Sequence, residues 1–144
     1  MARTARTVVI TGASSGFGEA AVRAFADRGD RVWGTMRETA GRNASRKAEL
    51  EAHSPRIAIA EIDVTNDVSV SEGFARILAE GPIDVLINNA GIMYIGMTEA
   101  YSLDQATAQM ETNYFGAIRA MQAVLPSMRA AGSGLIINTS SIAG

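Results

Sequence analysis

The stretch Thr11-Gly12-Ala13-Ser14-Ser15-Gly16-Phe17-Gly18 follows the apolar run Thr7-Val8-Val9-Ile10 and opens a segment with helical periodicity. A glycine-rich turn therefore joins a first strand to a first helix, whose unpaired N–H groups can meet an anion. We expect Gly12 to form the tight turn, Gly16 to leave room for a pyrophosphate, and Gly18 to let the helix pack close to the strand. The turn predicts a nucleotide site, but its spacing differs from G-x-G-x-x-G and it is not specific by itself.

The composition is typical of one globular domain. A chain of 144 residues with 47% hydrophobic residues and a net charge of −2 can bury roughly two thirds of its unfolded surface. We therefore expect a single nucleotide-binding domain over residues 1–144. No apolar run approaches the ~20 residues that span a bilayer, and the N-terminus lacks the apolar core of a signal peptide. These features favour a cytoplasmic protein without a membrane partner.

The charged residues do not predict a nucleic-acid surface or a metal site. One polar segment alternates charges of opposite sign, as on a solvated helix face: Arg42, Arg46 and Lys47 with Glu38, Glu49 and Glu51. No basic stripe is present that could follow a phosphate backbone. The chain has no cysteine and one histidine, which argues against thiolate and histidine metal sites. We expect that histidine, His53, to lie on the surface.

Five apolar, β-rich runs alternate with segments of helical pattern. The predicted strands are Thr7–Ile10, Arg31–Met36, Ile57–Ile62, Val85–Asn88 and Leu135–Asn138. Strands that alternate with helices form a parallel sheet, because parallel strands need long crossovers and right-handed crossovers cover both faces. The sequence predicts a doubly wound α/β fold with five strands. The last two runs are apolar without alternation, which is typical of central strands buried on both faces.

The helices are recognisable by their ends. Glycines follow three helical segments, at Gly29, Gly81 and Gly132. Ser102 and Gln105 predict a capping box at the start of a long helix. Apolar residues recur along that helix at helical spacing: Met110, Tyr114, Ile118, Met121 and Leu125. This stripe is either core or interface, and we expect Pro126 to bend or interrupt the last turns.

Polar motifs follow the predicted strands. They are Asp63-Val64-Thr65 after the third, Asn88-Asn89-Ala90-Gly91 at the end of the fourth, and Ser140-Ser141 after the fifth. A further polar residue, Asn113, lies inside the long helix. The carboxyl ends of parallel strands form the edge where open α/β sheets bind ligands. The motifs are therefore expected to lie around one ligand site.

Together these residues resemble the short-chain dehydrogenase/reductase family. The family patterns T-G-x-x-x-G-x-G, D-V, N-N-A-G, a helical Asn and a Ser after the fifth strand occur here in order, from Thr7 to the last residue. The resemblance implies an incomplete Rossmann-like doubly wound parallel sheet. It also implies a nicotinamide dinucleotide cofactor and an oxidoreductase that interconverts the hydroxyl and carbonyl of a small-molecule alcohol or carbonyl substrate.

The resemblance assigns the cofactor-binding residues by position. The residues implied to bind phosphate are Gly12, Ser14, Ser15, Gly16, Phe17 and Gly18. Asp63 is implied to contact the adenine amine, with Val64 beside the ring, although Asp63 could instead cap the next helix. The Asn88 and Asn89 side chains would join neighbouring strands. The backbone of Ala90 and Gly91 would leave room for the adenosine ribose and the nicotinamide side.

The resemblance also implies two catalytic residues. Asn113 is similar to the family's active-site Asn, which holds a water molecule in a proton relay. Asn is a poor helix former, so its amide needs partners. The alternative is an ordinary buried amide bonded to a backbone carbonyl. Ser141 aligns with the Ser that donates a hydrogen bond to the substrate oxygen.

Cofactor choice follows from charge. Sites that prefer NAD place a carboxylate at the end of the second strand, whereas an Arg there suits the 2′-phosphate of NADP. This chain has Met36 followed by Arg37, and a charge-assisted hydrogen bond contributes about 1.5–3 kcal/mol. We therefore predict NADP(H) rather than NAD. The alternative is that Arg37 is solvated or paired with Glu38.

The family's Tyr and Lys, in a Y-x-x-x-K motif, are not found in these 144 residues. Tyr94, Tyr101 and Tyr114 are each followed four positions later by a residue other than Lys. In the family, the Tyr acts as the general acid/base, so we expect the chain by itself to show no turnover. We also expect it to bind cofactor weakly. A non-catalytic dinucleotide-binding or interaction module remains the alternative. A bare fifth strand would also favour self-association, so we expect a homo-oligomer.

Overall fold

A computed structural model describes residues 5–142. It contains the strands β1 (Thr7–Ile10), β2 (Arg31–Met36), β3 (Ile57–Glu61), β4 (Val85–Asn88) and β5 (Leu135–Asn138). The α-helices are α1 (Gly16–Asp27), α2 (Ala44–His53), α3 (Asp67–Ala79), α4 (Leu103–Met110) and α5 (Gly116–Ala131), with a short 3₁₀ turn at Thr98–Ala100. A π-helical segment, Glu111–Phe115, joins α4 to α5. All five predicted strands are present, and only the third is one residue shorter than predicted.

The five strands form one parallel sheet in the order β3-β2-β1-β4-β5. β1 pairs with β2 on one side and with β4 on the other, so that Val8 lies beside both Val32 and Val85. The strand order therefore reverses at β1, which is the point where such sheets bind ligands. The predicted Rossmann-like α/β fold with five strands is confirmed.

Two hydrophobic clusters lie on opposite faces of the sheet. Val8 and Ile10 of β1 belong to the cluster that contains Val22 of α1 and Leu50 of α2. Val9, which points to the other face, packs in a cluster with α3 and α5. Successive side chains of a strand alternate between faces, so β1 supplies both cores. These residues are fully buried, and each such aliphatic side chain contributes roughly 1.5–3 kcal/mol.

The long helix differs from its prediction near the C-terminal end. Its capping box is confirmed, because Ser102 accepts from the Gln105 backbone and Gln105 accepts from the Ser102 backbone. Pro126 does not interrupt α5, which continues to Ala131 and ends at Gly132 in the left-handed conformation. A proline removes one backbone donor, and the packing of Val124 and Met128 on the core compensates for that loss.

The apolar stripe of the long helix is mostly exposed. Met110, Tyr114 and Leu125 are 49%, 54% and 40% exposed. Only Met121, among the five residues of the stripe, packs against the core cluster shared by α3 and α5. The core interpretation is therefore wrong for most of this face, because the helix presents a different side to the sheet.

The two strands predicted to be central differ in burial. β4 is buried along its whole length, as predicted. β5 is the edge strand of the sheet, and Leu135 and Ile137 are 48% and 40% exposed. The prediction for β5 is wrong within residues 5–142, where β4 is its only neighbour. An unbroken apolar run reports a strand's composition but not how many neighbours it has.

The surface carries the alternating charges as ion pairs. Arg42 pairs with Glu38, Arg46 with Glu49, and Lys47 with Glu51. Within residues 5–142, no helix is long and apolar enough to cross a membrane. The same residues contain no group of three or more His, Cys, Asp or Glu that could hold a metal ion.

Candidate cofactor site

A cavity of about 300 Å³ opens at the carboxyl ends of β1, β2, β3 and β4. Ten of the twelve residues predicted to bind cofactor line it: Gly12, Ser14, Ser15, Phe17, Arg37, Asp63, Val64, Asn89, Ala90 and Gly91. Gly16 and Gly18 belong to α1 and do not line the cavity. The predicted residues are thus brought together at the switch point of the sheet.

The glycine turn packs directly against the loop after β4. Gly12 has φ +69°, and a Cβ there would lie 2.7 Å from the Cα of Ala90. At Gly18, a Cβ would lie 2.5 Å from Asn89 Nδ2 and closer still to the Gly12 carbonyl oxygen. Both positions therefore require glycine. Gly18 allows close packing against this turn and against Asn89.

Asn89 and Thr11 connect the turn to the β4 loop. Asn89 Nδ2 donates to the carbonyl oxygens of Thr11 and Gly12, each at 3.1 Å. The buried Thr11 Oγ1 accepts from the backbone N–H groups of Asn89 and Ala90, each at 3.0 Å. Sequence analysis did not assign Thr11 a role, although the first Thr of the motif was visible in the pattern.

The start of α1 is suited to an anion. Ser15 precedes the helix with an extended backbone, and its hydroxyl makes no capping hydrogen bond. The first N–H groups of an uncapped helix lack partners and lie at the positive end of the helix dipole. The one acid of the first turn, Glu19, is bonded to Arg23 and Arg46. Phe17 is 86% exposed beside this turn.

The Asp63 carboxylate uses only one of its two oxygens to accept hydrogen bonds from other described residues. Its Oδ1 accepts from Thr65 N at 2.9 Å and from Thr65 Oγ1 at 2.7 Å. The cap of α3 is Asn66, whose side chain accepts from Ser69 N, so the helix-cap interpretation of Asp63 is wrong. A carboxylate can accept about four hydrogen bonds, which leaves Asp63 Oδ2 with capacity for a ligand amine.

Arg37 faces Asp63 rather than Glu38. Arg37 Nη1 lies 4.0 Å from Asp63 Oδ2, and about half of the Arg37 side chain is exposed. Glu38 pairs instead with Arg42, at 3.5 Å. Arg42 also lines the cavity. The interpretation in which Arg37 pairs with Glu38 is therefore wrong, and the loop after β2 presents two guanidinium groups at the cavity.

The loop after β2 is fixed by local hydrogen bonds. Glu38 has a left-handed backbone, with φ +52°. Asn43 Nδ2 donates to the Arg37 carbonyl oxygen at 2.7 Å. Thr39 donates from its backbone and its hydroxyl to Glu61, at 2.9 and 2.5 Å. These two hydrogen bonds lower the pKa of the Glu61 carboxyl below its ordinary value.

Asn113 is exposed and lies in the π-helical segment, not in a regular α-helix. Its Oδ1 accepts from the Ile92 N–H and its Nδ2 donates to the Ile92 carbonyl oxygen, both at 2.8 Å. Asn113 therefore bonds a backbone carbonyl, as the buried-amide alternative expects. It is not buried, however, so that alternative is only half met. Ser141 is exposed and follows β5, and neither Asn113 nor Ser141 lines the cavity.

Eight further residues line the cavity that sequence analysis did not assign to the cofactor: Thr35, Met36, Arg42, Asn43, Ile62, Thr65, Ile92 and Thr112. Thr35, Met36 and Ile62 lie at or next to the ends of β2 and β3, and this position alone could have predicted that they line the site. Arg42 had been interpreted only as part of a solvated charged face. The buried Thr35 hydroxyl has no hydrogen-bond partner within residues 5–142. An unpaired polar atom at the cavity, together with the uncapped helix and the glycine turn, fits a dinucleotide.

A family model described as short chain dehydrogenase matches residues 6–144. The chain is 41% identical over 138 residues to a 3-ketodihydrosphingosine reductase of Bacteroides thetaiotaomicron, which covers 95% of this chain and 47% of the relative. A short-chain dehydrogenase structure from Streptomyces avermitilis has a TM-score of 0.89 and 38% identity, and covers 98% of this chain and 50% of that one. The closed form of serine dehydrogenase complexed with NADP+ has a TM-score of 0.87 and 35% identity, with 96% and 55% coverage. The chain spans about half the length of the proteins it matches.

Proposed function

Because the chain belongs to the short-chain dehydrogenase family, we propose that it binds NADP(H) for an oxidoreductase that interconverts a hydroxyl and a carbonyl. The observation that carries this proposal is the cavity at the strand switch point, lined by the glycine turn, Asp63 and Arg37. The bound nicotinamide would supply or accept the hydride. A structure of a relative in complex with NADP+ supports the same cofactor class.

Different residues of the cavity would bind different parts of the cofactor. The uncapped start of α1, with Ser14 and Ser15, would bind the pyrophosphate through N–H and hydroxyl donors. Asp63 would accept from the adenine amine, and Val64 would pack beside the ring. The backbone of Ala90 and Gly91, packed against Gly12, would border the ribose and the nicotinamide side.

The preference for NADP(H) rests on Arg37 and Arg42. Both guanidinium groups line the cavity, whereas the end of β2, where an acid would select NAD, carries Met36. Asp63 and Glu38 reduce the positive charge but leave donors of both arginines available. About half of the Arg37 side chain is exposed, so solvent screening reduces the expected preference to about tenfold.

A fluorescence titration of the 144-residue chain with NADPH and NADH tests this proposal. We expect NADPH to bind about tenfold more tightly, and Arg37→Leu to narrow the difference between the two affinities while NADH binding stays unchanged. Arg129→Leu, on the exposed end of α5, is the matched control and should leave both affinities unchanged. Equal or tighter binding of NADH by the unaltered chain would refute the cofactor assignment.

For catalysis, we propose that Asn113 and Ser141 take the family's roles in the proton relay and at the substrate oxygen. This chain, however, contains no Y-x-x-x-K motif, so we propose that residues 1–144 alone bind cofactor and do not turn over substrate. The second candidate is a non-catalytic dinucleotide-binding module. NADPH oxidation by the purified 144-residue chain with a panel of aldehydes and ketones would contradict both statements.

Self-association is a separate proposal. The β5 edge exposes Leu135 and Ile137, and an unpaired apolar edge favours pairing with a second chain. We propose a homo-oligomer in which this edge is covered. Light scattering at increasing concentration tests it, and a stable monomer at high concentration would exclude it.

A further inference from the structure

Arg119 of α5 contacts three segments at once. Its Nε donates to Asp67 Oδ1 at 2.5 Å and its Nη2 donates to Glu111 Oε2 at 2.9 Å. Its Nη1 donates to two backbone carbonyl oxygens, that of Val64 at 3.3 Å and that of Glu111 at 3.5 Å. Only about a fifth of its side chain is exposed. The guanidinium thus joins the β3–α3 loop, the start of α3 and the π-helical segment.

Two of these segments line the cavity and lie against each other. Val64 of the β3–α3 loop lines it, and so does Thr112, the residue after Glu111 in the π-helical segment. Arg119 itself does not line the cavity. Its contacts with Val64 and Glu111 therefore fix how far apart these two lining segments lie.

The π-helical segment depends on outside contacts. Such segments are rare, and insert one residue into the regular hydrogen-bond pattern. Here the Glu111 carbonyl oxygen accepts from Gly116 N and also from Arg119. A Cβ at Gly116 would lie 2.8 Å from Val64 Cγ2, so the helix also approaches the β3–α3 loop closely at this point. Arg119 and Gly116 hold the segment against the same loop.

The π-helical geometry determines the direction of Asn113. In an α-helix each residue is rotated by about 100° from the last, so loss of the extra residue would turn Asn113 away from Ile92. The two hydrogen bonds between Asn113 and the Ile92 backbone would then break. Ile92 also lines the cavity, directly after the Asn89-Ala90-Gly91 loop.

We propose that Arg119 is a positioning residue: by holding the π-helical segment against the β3–α3 loop, it keeps Asn113 bonded to Ile92 and sets the separation of Val64 and Thr112 in the cavity lining. The importance of that separation rests on the proposed function, since it concerns the cofactor. The ion pairs with Asp67 and Glu111 raise the pKa of the Arg119 guanidinium, in keeping with a group that stays charged.

The test compares Arg119→Met and Arg119→Lys by NMR without cofactor. In Arg119→Met we expect the Asn113 side-chain amide signals to move to the positions of an Asn that makes no hydrogen bond to the protein. We expect the Ile92 amide to exchange with solvent about tenfold faster, because two hydrogen bonds and their charged support are lost. Arg119→Lys keeps the positive charge but not the planar fork. Its Asn113 shifts and its Ile92 exchange rate should lie between those of the unaltered chain and those of Arg119→Met.

Two controls separate positioning from a general loss of stability. Exchange at Val9 and Leu86, in the middle of the sheet, reports global opening, and should change less than exchange at Ile92. Arg129→Met, which alters an exposed arginine of the same helix with no side-chain hydrogen bond among the described residues, should leave every signal unchanged. If Asn113 and Ile92 keep their signals in Arg119→Met, or if Val9 and Ile92 accelerate equally, the proposal is wrong.

A second variant decides the question if Arg119→Met does not fold. Glu111→Gln removes one ion pair and keeps the backbone contacts, so the same changes should occur at about threefold smaller size. Unchanged Asn113 and Ile92 signals in this folded variant would then overturn the proposal. NADPH affinity is measured in parallel. Failure of the unaltered chain to bind NADPH would refute the proposed function, while the cofactor-free signals would still decide the role of Arg119.

Discussion

The two sides of the cavity are built in different ways. On one side, the glycine turn and the β4 loop are joined by buried backbone contacts through Thr11, Gly12 and Asn89. On the other side, the loop after β2 is held by exposed contacts such as Glu38 with Arg42 and Thr39 with Glu61. Under the proposed function, the first side would meet the pyrophosphate, which NAD and NADP share, and the second would meet the part in which they differ. Rigid packing would then serve binding, and exposed charge would serve discrimination.

The largest effect is expected at Gly12. Gly12→Ala would place a Cβ 2.7 Å from Ala90 Cα on a residue with φ +69°. Overpacking and the left-handed conformation together should lower the free energy of unfolding by about 3 kcal/mol, measured by urea denaturation. Gly29→Ala is the control, because Gly29 also has a positive φ but open space around it, and should lose only about 1 kcal/mol. Equal losses would show that packing against Ala90 contributes nothing.

A smaller effect is expected from Thr11→Val. The change keeps the shape of the side chain and removes the acceptor of the Asn89 and Ala90 N–H groups. Leaving buried donors unpaired should lower the free energy of unfolding by about 2 kcal/mol. Thr35→Val is the matched control, since the buried Thr35 hydroxyl has no partner in the described part of the chain, and should be nearly neutral. If Thr11→Val leaves the free energy of unfolding unchanged, the hydrogen bonds of Thr11 do not stabilise the first side of the cavity.

The exposed side is tested through Arg42. Arg42→Leu should weaken NADPH binding by up to about fivefold, because an exposed charge contributes at most about 1 kcal/mol. NADH binding and the urea midpoint should not change, since Arg42 is 64% exposed and its only ion pair among residues 5–142 is with Glu38. Isothermal titration calorimetry measures both affinities, with Arg56→Leu, an exposed arginine outside the cavity, as control. A parallel loss of NADH affinity would mean that this loop also serves general binding.

The smallest effect concerns pH. Because Thr39 lowers the pKa of Glu61, the stabilising contribution is present above the ordinary carboxyl pKa, roughly 4.3. It is lost as the pH falls through the lowered pKa of the folded state. The stability difference between the unaltered chain and Glu61→Gln should therefore shrink between pH 5 and about pH 3, measured by urea denaturation. Glu72→Gln, at an exposed carboxylate without a hydrogen bond in the described residues, is the control. A difference that is independent of pH would contradict the assignment.

The site was predicted best where its signal is local. The glycine turn and the N-N-A-G loop are contiguous motifs at strand ends, and seven of their nine assigned residues line the cavity, as do Arg37, Asp63 and Val64. Arg42 and Thr112 were missed because each lies on a helix or loop whose local pattern is that of an ordinary surface. Their place at the cavity depends on how α2 and the π-helical segment pack, and no short window of sequence contains that information.

The sequence by itself determined the five strands, the glycine turn and the capping box, because strand periodicity, turn chemistry and capping depend on neighbours within a few residues. Only the tertiary structure decided that α5 continues past Pro126 and that Asn113 bonds Ile92 from a π-helical segment. These features depend on contacts between residues distant in sequence, such as Arg119 with Val64. The physical reason is that long-range packing can outweigh local preference, and its partners are known only once the chain has folded.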